Sequence, residues 1–172
     1  QSLSKISGCK CIRCREVKGR EITEFQRKIR TYHSSGSKEI FISYESEDEK
    51  IIYGFLRLRI PSVRYNQNIL DDLQNTSLIR ELHVYGNLTG VGDNKGSQHK
   101  GIGTKLLNDA EWLSLKNGYY NITCISGIGV REFYRKRGYK ITTKNGFVKK
   151  ILYKKFIYFF IIILIKLIAF NF

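Results

Sequence analysis

Two groups of residues in this sequence have the types and spacing to do chemistry. The first is Gln98-His99-Lys100-Gly101-Ile102-Gly103, which runs into an apolar-periodic stretch from Thr104 to Lys116. There Leu106, Leu107, Ala110 and Leu113 recur at three- and four-residue spacing, with Lys105, Asn108, Asp109 and Glu111 on the other face. That pattern is an amphipathic helix, closed by Gly118. A glycine-rich turn feeding a helix N-terminus presents unpaired N–H groups at the positive end of the helix dipole, which can hold a phosphate or pyrophosphate. Lys100 adds a full charge, and Gly101 and Gly103 let a ligand approach the backbone. The same residues also fit a plain strand-to-helix turn. The second group is Cys9-x-Cys11-x-x-Cys14, flanked by Lys10, Arg13 and Arg15. Three thiols this close read as metal ligands, because the remaining cysteine, Cys124, stands isolated in an apolar run and reads as a small core residue. Zinc is the default ion: the thiolates take three corners of a tetrahedron and leave one for a histidine or a ligand from elsewhere. His33, His83 and His99 are the histidines available. The neighbouring cations would lower the thiol pKa values, so redox chemistry is the competing account.

The elements that must position these groups are legible in outline. Gly19 to Tyr32 is ambiguous, since Ile22, Phe25, Ile29 and Tyr32 fit a helix while its second half also fits an exposed strand. Glu39 to Glu45 and Ile51 to Ile60 are strands joined by the acidic turn Ser46-Glu47-Asp48-Glu49-Lys50, a hairpin. Leu56-Arg57-Leu58-Arg59-Ile60 alternates apolar with basic, which puts one face on the core and the other in water, and Pro61 ends the strand. Ser62 to Ser77 is polar and Asn-rich and reads as a long loop. Leu78 to Tyr85 is a further strand, and Gly86, Gly90, Gly92 and Gly96 mark a mobile loop delivering the chain to the phosphate turn. After the helix, Asn121 to Ile125 is a short strand, Val130 to Arg137 a short helix stopped by Gly138, and another strand starts at Tyr139.

Composition bounds the partners. A chain of 172 residues allows one domain with a single core plus appendages. Thirty Lys and Arg against fifteen Asp and Glu give a net charge of +15, which favours nucleic acid or anionic lipid and argues against strongly basic peptides. A biased genome, rich also in Ile, Asn and Tyr, would produce the same excess of lysine. The sequence contains no methionine, which is expected of a piece of a longer protein.

The succession of strand, Q-x-x-G-x-G, helix, strand and a short helix carrying Tyr134-x-x-x-Gly138-Tyr139 resembles the acetyl-CoA-binding core of the GNAT acetyltransferase superfamily. The resemblance narrows with Cys9-Lys-Cys-Ile-Arg-Cys-Arg-Glu-Val17, Phe41-Ile-Ser-Tyr-Glu45, Gly54-Phe-Leu-Arg-Leu-Arg59, Arg80-Glu-Leu-His-Val-Tyr-Gly86 and Ile125-Ser-Gly-Ile-Gly129. Together with the two earlier motifs these are similar to the C-terminal acetyltransferase domain of the Elongator catalytic subunit family, from about Ser7 to about Ile151. The resemblance implies an α+β GNAT fold with a central, mostly antiparallel sheet over 19–151, preceded by a zinc-binding segment in 1–18. It implies an acetyl-CoA-dependent enzyme that acts on tRNA wobble uridine, alongside other Elongator subunits. It further implies a radical-SAM domain, with its iron–sulfur cluster and SAM, that is not in this chain. Lysine acetylation of a protein, and a non-catalytic acetyl-CoA or tRNA-binding module, are the alternatives. Residue by residue, Glu81, Leu82, His83 and Val84 match the strand along the pantetheine, and Gln98, Lys100, Gly101, Ile102, Gly103 and Thr104 the pyrophosphate turn. Tyr134 matches the tyrosine beside the CoA sulfur, where a phenol can serve a departing thiolate. Glu81 is a candidate general base, and His83 the candidate fourth zinc ligand that the family resemblance implies. Phe133 stands where the family carries a second tyrosine.

The tail is a separate matter. Phe156 to Phe170 is almost wholly apolar apart from Lys166, and follows Lys149, Lys150, Lys154 and Lys155. Counted on to Phe172, its roughly 17 residues would as a helix reach about 26 Å, slightly short of a bilayer core. The expectation is a C-terminal transmembrane anchor over 152–172 with its basic flank in the cytosol, similar to apicomplexan relatives tethered to the mitochondrial outer membrane. Translated AT-rich sequence would give the same residues.

Overall fold

The computed structural model describes residues 9–18, 24–62, 70–85, 101–142 and 146–152. Its elements follow the chain as α1 (Ile12–Arg15), β1 (Gln26–Ser34), β2 (Ser37–Glu45), β3 (Ile52–Ile60), β4 (Ser77–Val84), α2 (Ile102–Lys116), β5 (Asn121–Ile125), α3 (Arg131–Arg135), β6 (Lys140–Ile141) and β7 (Phe147–Ile151). The segment left open between helix and strand is a strand where it is described. Gln26 to Ser34 pairs along its whole length with β2, across a two-residue turn at Ser35 and Gly36 where φ is 47° and 67°. Positive φ at both turn positions matches the twist of a tight hairpin, so pairing overrides the weak helical spacing.

One mixed sheet carries seven strands in the order β1-β2-β3-β4-β5-β7-β6. Every neighbouring pair is antiparallel except β4 with β5, which are parallel. Antiparallel neighbours need only short turns, whereas the parallel pair needs a crossover, and α2 supplies it. This is the α+β GNAT architecture that the motifs led one to expect. Two details separate β4 from an ordinary strand. Its register with β3 shifts between Arg57, opposite Glu81, and Leu58, opposite Ile79, which leaves Arg80 as an extra residue. Its ladder with β5 covers only Ser77 to Ile79 against Ile122 to Cys124, so the strands part beyond that point.

Alternation along the strands sorts the side chains onto two faces. Ile40, Ile42, Leu56, Leu58 and Ile79 are buried against Leu106, Leu107 and Ala110 of α2, forming the core. The opposite face is less wet than the Leu-Arg alternation suggests. The Glu39 carboxylate is fully buried there between Arg59 and Arg80, and Glu45 between Arg15 and Arg30. Glu111 departs from its expected place on the polar face of α2. It is 4% exposed, because Lys150 of β7 reaches it at 2.7 Å and the Tyr139 hydroxyl donates to it at 3.3 Å. That contact ties α2 to β7, one strand in from the β6 edge of the sheet. Among the described residues no helix is long and apolar enough to cross a membrane. The apolar tail, the glycine loop and residues 63–69 of the Asn-rich loop lie outside the described residues, whereas the rest of that loop includes a short 3-10 turn at Asp71–Leu73 and Ser77 already belongs to β4.

Candidate functional site

The parted ends of β4 and β5 meet the N-terminus of α2, and the site is built from these three elements with α3. Gly101 is the N-cap of α2 with φ +113°, and no side chain caps the helix there. Among the described residues an added Cβ at Gly101 would touch nothing within 4 Å, and the backbone conformation itself calls for glycine. Gly103 has a different reason. A Cβ there would lie 3.1 and 3.3 Å from ring atoms of Phe133 and 3.4 Å from Val84 Cγ2. The side chain that approaches Gly103 closely is Phe133, a packing reason for glycine beside the expected ligand approach. Ile102 is buried in the core, and Gln98 and Lys100 lie outside the described residues. Thr104 is occupied: its hydroxyl oxygen accepts from Arg137 Nε at 3.1 Å and Nη2 at 2.7 Å. The uncapped first turn still leaves backbone N–H groups for an anion.

On β4, the edge facing β5 has no strand partner among the described residues beyond Ile79, so the backbone groups that Arg80 to Val84 turn to that side, away from β3, can bond a ligand. Leu82 packs against the core. Glu81 and His83 point to the opposite face, where Glu81 is held at 3.0 Å by both Arg57 Nε and His83 Nε2. His83 also stacks on Phe55 at 5.3 Å and lies 6.3 Å from the Tyr85 ring.

Tyr134 on α3 is 5% exposed and sits beside the end of β5, its hydroxyl accepting from Cys124 Sγ at 3.3 Å. Its ring packs edge-on to Tyr139 at 5.4 Å and Phe133 at 5.3 Å. Burial, reinforced by the neighbouring Cys124, pushes the phenol well above its usual range. Tyr134 therefore stays protonated at any physiological pH. Cys124 is 3% exposed, as expected of a core residue, and burial raises its thiol too.

At the other end of the chain the three sulfur atoms of Cys9, Cys11 and Cys14 all lie within 4.8 Å of one another, on the surface. Zinc with Zn–S bonds of about 2.3 Å would hold its sulfurs about 3.8 Å apart, so small side-chain adjustments suffice and the donors fit. The Cys14 amide donates to Cys11 Sγ at 3.4 Å, and this bond leads in lowering the Cys11 thiol to about 7. Cys14, sharing a hydrogen bond with Cys11, is raised to about 11. His83 does not belong to this group, since it is bound to Glu81 on β4. His33 is on β1, paired with Lys38, and His99 lies outside the described residues.

Arg137 is the site residue that motif reading missed. Only its rank in the run Tyr134-Arg-Lys-Arg-Gly138 hinted at it, one turn beyond Tyr134.

No protein-family model matches the sequence. The chain is 40% identical over 146 residues to the tRNA uridine(34) acetyltransferase of Dehalococcoides mccartyi, covering 80% of this chain and 32% of that protein. To the protein of the same name from Methanocaldococcus jannaschii it is 44% identical over 144 residues, covering 77% and 26%. To Elongator complex protein 3 of Saccharomyces cerevisiae it is 39% identical over 142 residues, covering 74% and 26%. A solved structure of the archaeal Elp3 of Methanocaldococcus infernus superposes with a TM-score of 0.67 at 36% identity, over 84% of this chain and 35% of that one. The chain spans about a third or less of the length of these relatives. Over the matched residues it is homologous to proteins named tRNA uridine(34) acetyltransferase and Elongator complex protein 3.

Proposed function

We propose that this chain binds acetyl-CoA between β4 and β5 and supplies the acetyl group for modification of a tRNA wobble uridine, as the acetyltransferase part of an Elongator-type enzyme. The observation that carries the proposal is the convergence, in a chain homologous to these proteins, of a free β4 edge, an uncapped helix N-terminus and a buried protonated tyrosine. The backbone groups that Arg80 to Val84 turn away from β3 can bond the amides of the pantetheine arm. The N–H groups of Ile102, Gly103 and Thr104 can hold the pyrophosphate. Tyr134 then lies where the thioester would end. When Cys124 donates to its oxygen, its own proton can point at the sulfur. A thiol titrates near 8.5, far below this phenol, so full proton transfer from Tyr134 would run uphill. Its role is to hydrogen-bond the sulfur as the C–S bond breaks and negative charge grows there, while water supplies the proton.

Cys9, Cys11 and Cys14 would hold a zinc ion, which would cross-link the N-terminal segment and supply no chemistry to the acetyl group. The radical-SAM domain and other Elongator subunits are the implied partners. The Glu81–His83 pair favours a second reading, lysine acetylation, because it could take a proton from an amine.

Acetyl-CoA binding by calorimetry, followed by acetyl-CoA hydrolysis with tRNA or with a lysine peptide, tests the proposal. The expected result is binding, with turnover stimulated by tRNA alone. Stimulation by the peptide alone would favour lysine acetylation, and absence of binding would sink both.

A further inference from the structure

Half-buried Arg137 lies beside the first turn of α2 with its guanidinium held from three sides. Nε and Nη2 donate to Thr104 Oγ1 at 3.1 and 2.7 Å, and Nη1 to the Phe133 carbonyl at 2.7 Å. Its central carbon sits 3.7 Å from the centroid of the Phe133 ring. All of these partners are neutral. Among the described residues no carboxylate lies within ion-pair reach of Arg137, whereas Arg15, Arg30, Arg57, Arg59 and Arg80 each meet one.

A fixed cation beside the positive end of a helix is two like potentials side by side, in a half-buried setting where screening is reduced. Without an anion that arrangement is unfavourable. A guanidinium has five N–H donors, and the three bonds above leave two, one on each terminal nitrogen. Such a fork matches two oxygens of a phosphate. Accepting the acetyl-CoA site proposed above, we infer that Arg137 completes it, placing a cation against the pyrophosphate beside the α2 N–H groups. Phe133 and Gly103 serve the same arrangement. The ring seats the guanidinium, and the missing Cβ lets the ring reach α2. A phenylalanine at this position therefore costs the site no hydroxyl that the arrangement uses.

The test measures binding of acetyl-CoA and of inorganic pyrophosphate to the full chain, for wild type, Arg137→Gln and Arg137→Lys, at low and moderate salt. Thermal melting runs alongside. Arg137→Gln is expected to weaken acetyl-CoA binding roughly 10-fold or more, and to make it less sensitive to salt. Pyrophosphate should compete with acetyl-CoA on the wild type and much less on this variant. Arg137→Lys, which keeps the charge and loses the fork, should retain the salt sensitivity and part of the affinity. Equal binding by wild type and Arg137→Gln overturns the inference while leaving the acetyl-CoA site intact. Weakened binding with unchanged salt sensitivity also overturns it, since it would mark Arg137 as a support for Thr104 alone. Should Arg137→Gln fail to fold, Arg137→Lys decides, because loss of pyrophosphate competition there counts against the inference. A wild type that binds neither ligand removes the site itself.

Discussion

At the scale of single residues, Tyr134 makes the sharpest prediction. Its hydroxyl is the polar group at the end of the β4–β5 opening, and removing it leaves ring packing against Phe133 and Tyr139 in place. Tyr134→Phe should therefore keep acetyl-CoA affinity within about twofold and lower turnover roughly 10²-fold, the usual effect of losing one donor to developing charge. A comparable loss of affinity would show a binding role instead. Because burial and Cys124 hold the phenol above its ordinary range, the pH profile of turnover should show no deprotonation of Tyr134 up to about pH 10. The glycine turn, Tyr134 and the three clustered cysteines were legible because each belongs to a short local pattern. Arg137 was not, since the residue that gives it meaning, Thr104, lies 33 positions away and meets it only when α3 folds against α2. The packing of Phe133 beside Gly103 was hidden for the same reason, since the ring is brought from another element.

At the scale of elements, β2 through β5 and α2 could be placed from alternation and helical spacing, because their patterns repeat over enough residues to stand out. The edges could not. β1 looked as much like a helix until pairing with β2 fixed it, and the strand β7 carries its meaning in Lys150, whose partner Glu111 is on α2. Hydropathy likewise gave no hint that the face opposite α2 buries two carboxylates. Burial alone would raise the pKa of Glu45, but hydrogen bonds from Arg30, Ser43 and Arg15 outweigh it and hold it below 4.5. A carboxylate depressed in the folded state stabilises it above the unfolded value and loses that contribution as pH falls through the folded one. Wild-type melting temperature should accordingly fall as pH drops below about 4.5. Glu45→Gln should cost about 2 kcal/mol at neutral pH, by leaving two arginines without their shared partner. The two proteins should converge in acid. A parallel pair of curves would show that Glu45 does not carry this dependence.

At the scale of the whole molecule, the charge of +15 bears on the proposed acetyl-CoA and tRNA, which are both anionic. Several acidic side chains are committed inside the fold, with Glu39, Glu45, Asp109 and Glu111 each bound to a basic group, so they offer little negative surface to repel a polyanion. Lysines and arginines such as Arg135, Lys136 and Lys140, on α3 and β6, stay exposed near Tyr134 in the chain. A nucleic acid drawn to that surface would displace counterions, so its affinity must fall with salt in proportion to the phosphates neutralised. With about three phosphate contacts, tRNA binding should weaken roughly 20- to 40-fold between 50 and 200 mM salt. The electrostatic part alone does not identify tRNA, because any polyanion would show it. The discriminating measurement is therefore acetyl-CoA turnover at each salt concentration, with tRNA and with a single-stranded DNA of equal length. If tRNA stimulates turnover and DNA only binds, the basic surface delivers a substrate to the opening between β4 and β5. Equal stimulation by both would mean that the charge acts without regard to what it delivers.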